Sequence, residues 1–153
     1  MADTPQIRQL ERQLTNLDSA PDADIIKKID ILNDLAWALG DIDLKRAQTL
    51  SETAYTLAAS SDDAAPYLAG MAYSLRTQGY LNQRFGNYPL GLTQLLRAQE
   101  MCESLQLNDG LTDVLDGIAG IYFETLPSYT EIHREHAEVR RAFLNFFFLC
   151  ETL

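Results

Sequence analysis

The sequence predicts an all-α protein. Three observations carry that expectation. Apolar residues recur at spacings of three and four, apolar–polar alternation of the strand kind is hard to find, and short clusters of Gly, Pro, Asp, Asn and Ser separate the periodic runs. Each run therefore puts an apolar stripe on one side of a helix. About seven helices joined by short turns is the economical count.

Thr4-Pro5 starts the first helix, with Pro5 at the first helical position, where its missing N–H costs nothing. Residues 1–20 read as an N-terminal capping helix. "SAPDAD", Ser19 to Asp24, ends it and starts a second helix marked by Ile25, Ile29, Leu32, Leu35, Ala36 and Leu39. Gly40-Asp41-Ile42-Asp43 closes that helix, and Asp43 is placed to cap the third. "SSDDAAP" precedes a fourth, marked by Leu68, Met71, Ala72, Leu75, Gly79 and Asn82. "FGNYP" leads into a fifth, with Leu92, Leu95, Leu96, Gln99, Cys102 and Leu105. "LNDG", with Gly110 read as part of a turn, precedes Leu111, Val114, Leu115, Ile118, Ala119 and Tyr122 of a sixth. Beyond "TLPS" a seventh carries Ile132, His136, Val139, Phe143, Phe146, Phe147 and Cys150.

A chain of 153 residues is long enough to bury a continuous core. Its formal charge of −10, with only 12 Lys and Arg, argues against nucleic acid or an anionic membrane as partner. "MADTPQIRQLERQL" has no apolar core of a secretory signal, and Phe143 to Cys150 is too short to span a bilayer, so a cytoplasmic location is expected. Cys102 and Cys150 on apolar helical runs read as buried free thiols.

No catalytic constellation emerges. His133 and His136 are the only histidines, and "HREH" sets them one residue too close for the zinc-protease HExxH pattern. Asp41/Asp43 and Asp62/Asp63 lie where helix caps are needed and do not form a calcium loop. Neither a phosphate-cradling GxxxxGK nor a GxSxG is present. No enzyme activity, metal or cofactor is expected.

Small residues recur instead. Ala36, Gly79 and Ala119 are separated by 43 and 40 residues, and Ala54 and Ala98 by 44. A small side chain lets the two helices of a hairpin approach closely.

"QGYLNQRFGNYPLGLTQLLRAQEM" resembles the tetratricopeptide repeat. Gly79 matches its first small residue, Gly86 its turn glycine and Tyr88 the aromatic two residues on. Gly91-Leu92 matches the opening of its second helix, followed by Leu95 at the large apolar position and Ala98 at the last small one. Asn82 departs from the pattern, where an aromatic is usual. "LAWALGDIDLKRAQTLSETAYTLA" is similar to a degenerate first copy, with Ala47 and Ala54 in the later small positions. "LDGIAGIYFETLPSY" opens a third, with Leu115, Ile118, Ala119 and Tyr122. The spacing near 40 exceeds the common ~34, similar to the long-helix subtype of kinesin light chains and bacterial signalling proteins. The resemblance implies a right-handed α-solenoid of about three hairpins in a repeat domain over 21–153, with repeats near 21–60, 62–106 and 108–153.

The first helix of each pair lines the concave face of such a solenoid. Counting outward from the small residues gives Asp30, Asn33 and Trp37, then Tyr73, Arg76, Tyr80, Gln83 and Arg84, then Asp113, Asp116, Phe123 and Glu124 as candidate binding residues. Aromatics and Arg anchor interfaces well; Trp37 can equally be core, and the arginines ion-pair partners of flanking acids. The resemblance implies a non-catalytic protein–protein interaction scaffold, the N-terminal regulatory or sensory region of a larger bacterial signalling protein (cyclase, kinase or transcription regulator). A sensor holding a peptide or small molecule in the groove is the alternative, and a metal-binding helix bundle a third reading. An uncovered Phe146, Phe147 and Leu149 would offer a homodimer contact.

Overall fold

The computed structural model describes residues 4–19, 24–60 and 65–126. Among these residues there are six α-helices and no strand: α1 Pro5–Asp18, α2 Ile25–Ala38, α3 Leu44–Ala59, α4 Leu68–Arg84, α5 Tyr88–Leu105 and α6 Asn108–Thr125. Met1–Ile121 makes one compact unit and Tyr122–Leu153 another; the packing below is that of the first. The seventh expected helix, its two histidines and Phe146, Phe147 and Leu149 lie outside the described residues.

The helix ends follow local chemistry. Thr4 Oγ1 accepts from Ile7 N–H, and Pro5 follows at the start of α1. Asp24 accepts from the N–H groups of Ile26 and Lys27, and Asp43 from that of Arg46, capping α2 and α3. Gly86 ends α4 in the left-handed region at φ 76°, with Asn87 N–H donating to Asn82 O and Gly86 N–H to Gln83 O. That is the Schellman arrangement. Leu107 and Gln106 repeat it on Cys102 O and Glu103 O at the end of α5, but the left-handed residue there is Gln106, at φ 59°. The expected turn glycine of "LNDG", Gly110, lies instead inside the first turn of α6, buried against Tyr73 and Cys102.

Burial repeats along the chain with the period of a helical pair. In α3 the buried residues are Ala47, Ser51, Ala54 and Ala58; in α5 they are Gly91, Leu95, Ala98 and Cys102. Each follows its counterpart by 44 residues. From α2 into the turn after it, Ile29, Asn33, Ala36 and Gly40 are matched by Gly70, Ser74, Thr77 and Leu81 of α4, and these by Gly110, Val114, Gly117 and Ile121 of α6, all buried, at separations of 41 and 40. Every one of these stripes has the i, i+4, i+7, i+11 spacing of a single helix side.

This burial corrects the register expected from sequence for α6. Ala119 and Leu115 are exposed, and Gly117 takes the buried position. Ala36 therefore aligns with Thr77 and Gly117, two residues before Gly79 and Ala119. The cause is geometric: a Cβ on Gly117 would already meet Leu95 Cδ1 at 3.1 Å, so only a glycine side of α6 can approach α5 closely.

Gly79 and Gly91 do form a close contact, between α4 and α5. A Cβ on Gly91 would lie 3.0 Å from Gly79 O, and one on Gly79 would lie 2.5 Å from Leu95 Cγ. Gln94 bridges the pair, accepting from Asn82 Nδ2 and donating to Gln78 Oε1. Asn82 thus makes a hydrogen bond across the hairpin. The partners' numbers rise on one helix as they fall on the other, so α4 and α5 are antiparallel.

The core runs on through three clusters. Ile7, Leu10, Leu35, Leu39, Ala47 and Leu81 join α1 to α2, α3 and α4. Ile29, Leu32, Ala54, Ala58 and Met71 join α2, α3 and α4. Leu75, Leu95, Ala98, Val114 and Ile121 join α4, α5 and α6. Each fully buried Leu or Ile contributes about 1.5–3 kcal/mol of transfer free energy.

Candidate functional site

The helices α2, α4 and α6 lie side by side and run in the same direction. Asp30 meets Tyr67, Asn33 meets Gly70, and Arg76 meets Asp113, each pair 37 residues apart. Tyr73 against Gly110 and Gln83 against Gly120 keep the same offset. A constant separation along both helix pairs is the signature of parallel neighbours without slippage, and it brings three side-chain rows onto one face.

Arg76 holds that face together. It is 7% exposed, its Nη1 donates to Asp113 at 2.8 Å, and its guanidinium lies 4.0 Å from the Trp37 ring centroid and 4.9 Å from that of Tyr73. One cation thus touches α2, α4 and α6. Burial pushes its pKa down and Asp113 opposes that, but a guanidinium does not lose its proton in a protein. Its Nε is buried with no hydrogen-bond partner. Asp113 and the two rings thus hold the guanidinium inside the fold rather than on its surface.

Trp37, 36% exposed, is not core: it covers Arg76 on one side and stands 5.4 Å from the Tyr80 ring. The Tyr80 hydroxyl donates to Asp41 at 2.6 Å, and Arg84 reaches the same carboxylate at 3.6 Å. The Tyr67 hydroxyl donates to Asp30; burial first, then this hydrogen bond, push the phenol pKa up to about 12. Burial raises the Tyr73 pKa, and the carboxylates of Asp109 and Asp113 add to the rise.

Of the residues expected from sequence, the fold brings Asp30, Trp37, Tyr73, Arg76, Tyr80, Arg84 and Asp113 into this chain of contacts. Asn33 turns inward instead, 3% exposed, donating to Gly70 O and accepting from Ser74. Gln83 packs over Gly120, and Asp116 is exposed. Phe123 and Glu124 are exposed and belong to the second unit. Tyr67, Asp34, Asp41 and Asp109 complete the face and were not among the expected residues. Asp34 and Asp41 could have been found by extending Asp30 and Trp37 along the stripe at 30, 34, 37 and 41.

Asp34 is exposed, and its pKa is raised by partial burial first and then by the charge of Asp30, with Arg76 pulling the other way. A folded-state pKa above the ordinary 3.8 means that protonation favours the fold. That contribution is complete below about pH 3.8 and is lost as pH rises through the folded-state pKa. Asp34→Asn is therefore expected to raise Tm at neutral pH, the gain disappearing in acid. A lower Tm at neutral pH would contradict this.

Among the described residues no group of His, Cys, Asp and Glu could hold a metal ion, and no helix is long and apolar enough to cross a membrane. Cys102 is buried as a free thiol. The chain matches no protein-family model, no curated protein and no solved structure.

Proposed function

We propose that the chain is a non-catalytic protein-interaction scaffold that docks a partner on the α2–α4–α6 face, its hairpins stacking as a right-handed α-solenoid of the tetratricopeptide kind. One observation carries this reading: the hairpin burial pattern recurs at about 40 residues and sets three parallel helices beside one another, with half-exposed aromatics and carboxylates along them. A repeat that buries its small residues between helices leaves its larger polar and aromatic residues for recognition. The same resemblance extends the reading to a regulatory or sensory segment of a larger bacterial signalling protein, working in the cytoplasm. The groove-sensor alternative loses support at Arg76, which is buried, ion-paired with Asp113 and stacked on two rings rather than presented to a groove.

Peptides selected from a random displayed library on the immobilised protein test the docking face. They are expected to shift the indole N–H signal of Trp37, the single tryptophan, and to be lost in a Trp37→Ala/Tyr80→Ala variant that still melts cooperatively. Peptides that bind this variant unchanged and leave the Trp37 signal in place would overturn the proposal.

A further inference from the structure

We infer that the partner segment received by this face is cationic, an Arg- or Lys-bearing peptide. The inference rests on the docking face proposed above and concerns the chemistry of its occupant.

The charge of the face decides the sign. Asp30, Asp34 and Asp41 stand on the α2 side and Asp109, Asp113 and Asp116 on α6, with only Arg76 and Arg84 of α4 between them. Arg76 is buried and bound to Asp113, and Arg84 lies 3.6 Å from Asp41. An acidic partner would find both cations engaged and meet six carboxylates. Asp34, Asp109 and Asp116 are exposed and, among the described residues, make no ion pair. They remain open to a donor from outside.

The geometry adds an aromatic wall. Asp34 precedes Trp37 by three positions and follows Asp30 by four, so the two carboxylates and the ring share one side of α2. A guanidinium or ammonium entering there gains two carboxylates and an aromatic neighbour, the pairing that favours bound cations.

Trp37 fluorescence reads the event locally. A short acetylated, amidated peptide alternating arginine and alanine is titrated into the full chain at low salt, beside its glutamate and glutamine counterparts. The arginine peptide is expected to change Trp37 emission saturably, and the other two are not. Asp34→Asn/Asp109→Asn/Asp116→Asn should weaken it at least about tenfold, since each exposed carboxylate steers and pairs the ligand. Glu52→Gln/Glu100→Gln/Glu103→Gln, which removes the same charge elsewhere, should weaken it far less.

Equal loss in both triple variants would reduce the effect to the net charge of −10 and overturn the inference. So would a glutamate peptide that moves Trp37 while the arginine peptide does not; the docking face would then stand with a partner of the other sign. If library-selected peptides shift the Trp37 signal but none of the three designed peptides does, the cationic assignment alone fails. If selected peptides bind without reaching Trp37, the docking face itself fails.

Discussion

Gly91→Leu is expected to destabilise the protein by about 3 kcal/mol or more, at or beyond the upper end of the usual cost of overpacking. The first atom of the new side chain already falls 3.0 Å from Gly79 O and 3.3 Å from Gln83 N, both of them backbone. A side chain can rotate aside, but two helix backbones separate only by giving up the packing of Leu95 and Ala98, both 0% exposed. Gly110→Ala is the informative comparison. Its Cβ would press on the Tyr73 ring edge at 3.0 Å and on Cys102 Sγ at 3.2 Å, side-chain atoms that can yield. Alanine also favours the helix by about 1 kcal/mol over glycine, so the net change is expected to stay within about 1 kcal/mol of zero. Urea unfolding of both variants checks the pair. A Gly91→Leu midpoint equal to that of the parent chain, or below which Gly110→Ala falls, would mean that α4 and α5 do not meet as described.

Asp113→Ala is expected to cost more than Arg76→Met, although the two substitutions break the same ion pair. The Arg76 side chain is 8% exposed and its partner 36% exposed. Removing Asp113 strands a guanidinium that can neither reach water nor lose its proton, a loss of about 3–5 kcal/mol. Removing Arg76 leaves a carboxylate that water can solvate, and methionine retains much of the packing on Trp37 and Tyr73. A loss of roughly 2 kcal/mol is expected there, from the pair and the cation–π contacts. The double variant Arg76→Met/Asp113→Leu should recover most of the deficit, because an apolar replacement of both partners leaves no buried charge. Denaturant titration of the four proteins gives the coupling directly. Equal costs for the two single variants, or a double variant worse than Asp113→Ala, would show that Arg76 is solvated rather than clamped.

The helices and their ends were legible because their signals are local. Thr4, Asp43 and Gly86 do in the fold what their types do in any helix terminus. The correspondence of α3 with α5 was legible too, since Ala54 and Ala98 are small residues between apolar runs and hold matching buried positions in the two helices. The register of α6 was not. Periodicity weights large apolar side chains, and Leu115, Ile118 and Tyr122 outweigh the others in that helix. Its contact line is instead set by Gly110 and Gly117, which have no side chain to register on a hydropathy pattern yet allow the closest approach. Arg76 shows the same limit from the other side. Its type suggests a surface anchor, whereas Trp37, Tyr73 and Asp113 converge on it from positions 39, 3 and 37 residues away. That convergence is a property of neighbouring helices and has no local trace. Asp34 was passed over because an exposed acid on an acidic protein is unremarkable until Asp30, Trp37 and Asp41 are seen to share its stripe.

Both the docking face and its proposed occupant depend on Arg76 being fixed beneath Trp37 and tied to α6. The proton NMR spectrum of the Arg76 side chain tests that arrangement most directly. With the guanidinium 4.0 Å from the ring centroid, the indole ring current should shift the Arg76 δ-methylene and Nε–H signals upfield. In Trp37→Leu they should return towards ordinary arginine positions, and in Asp113→Asn they should broaden or move. Arg76 signals at ordinary positions in the parent chain, unchanged by Trp37→Leu, would contradict the arrangement and the face built upon it.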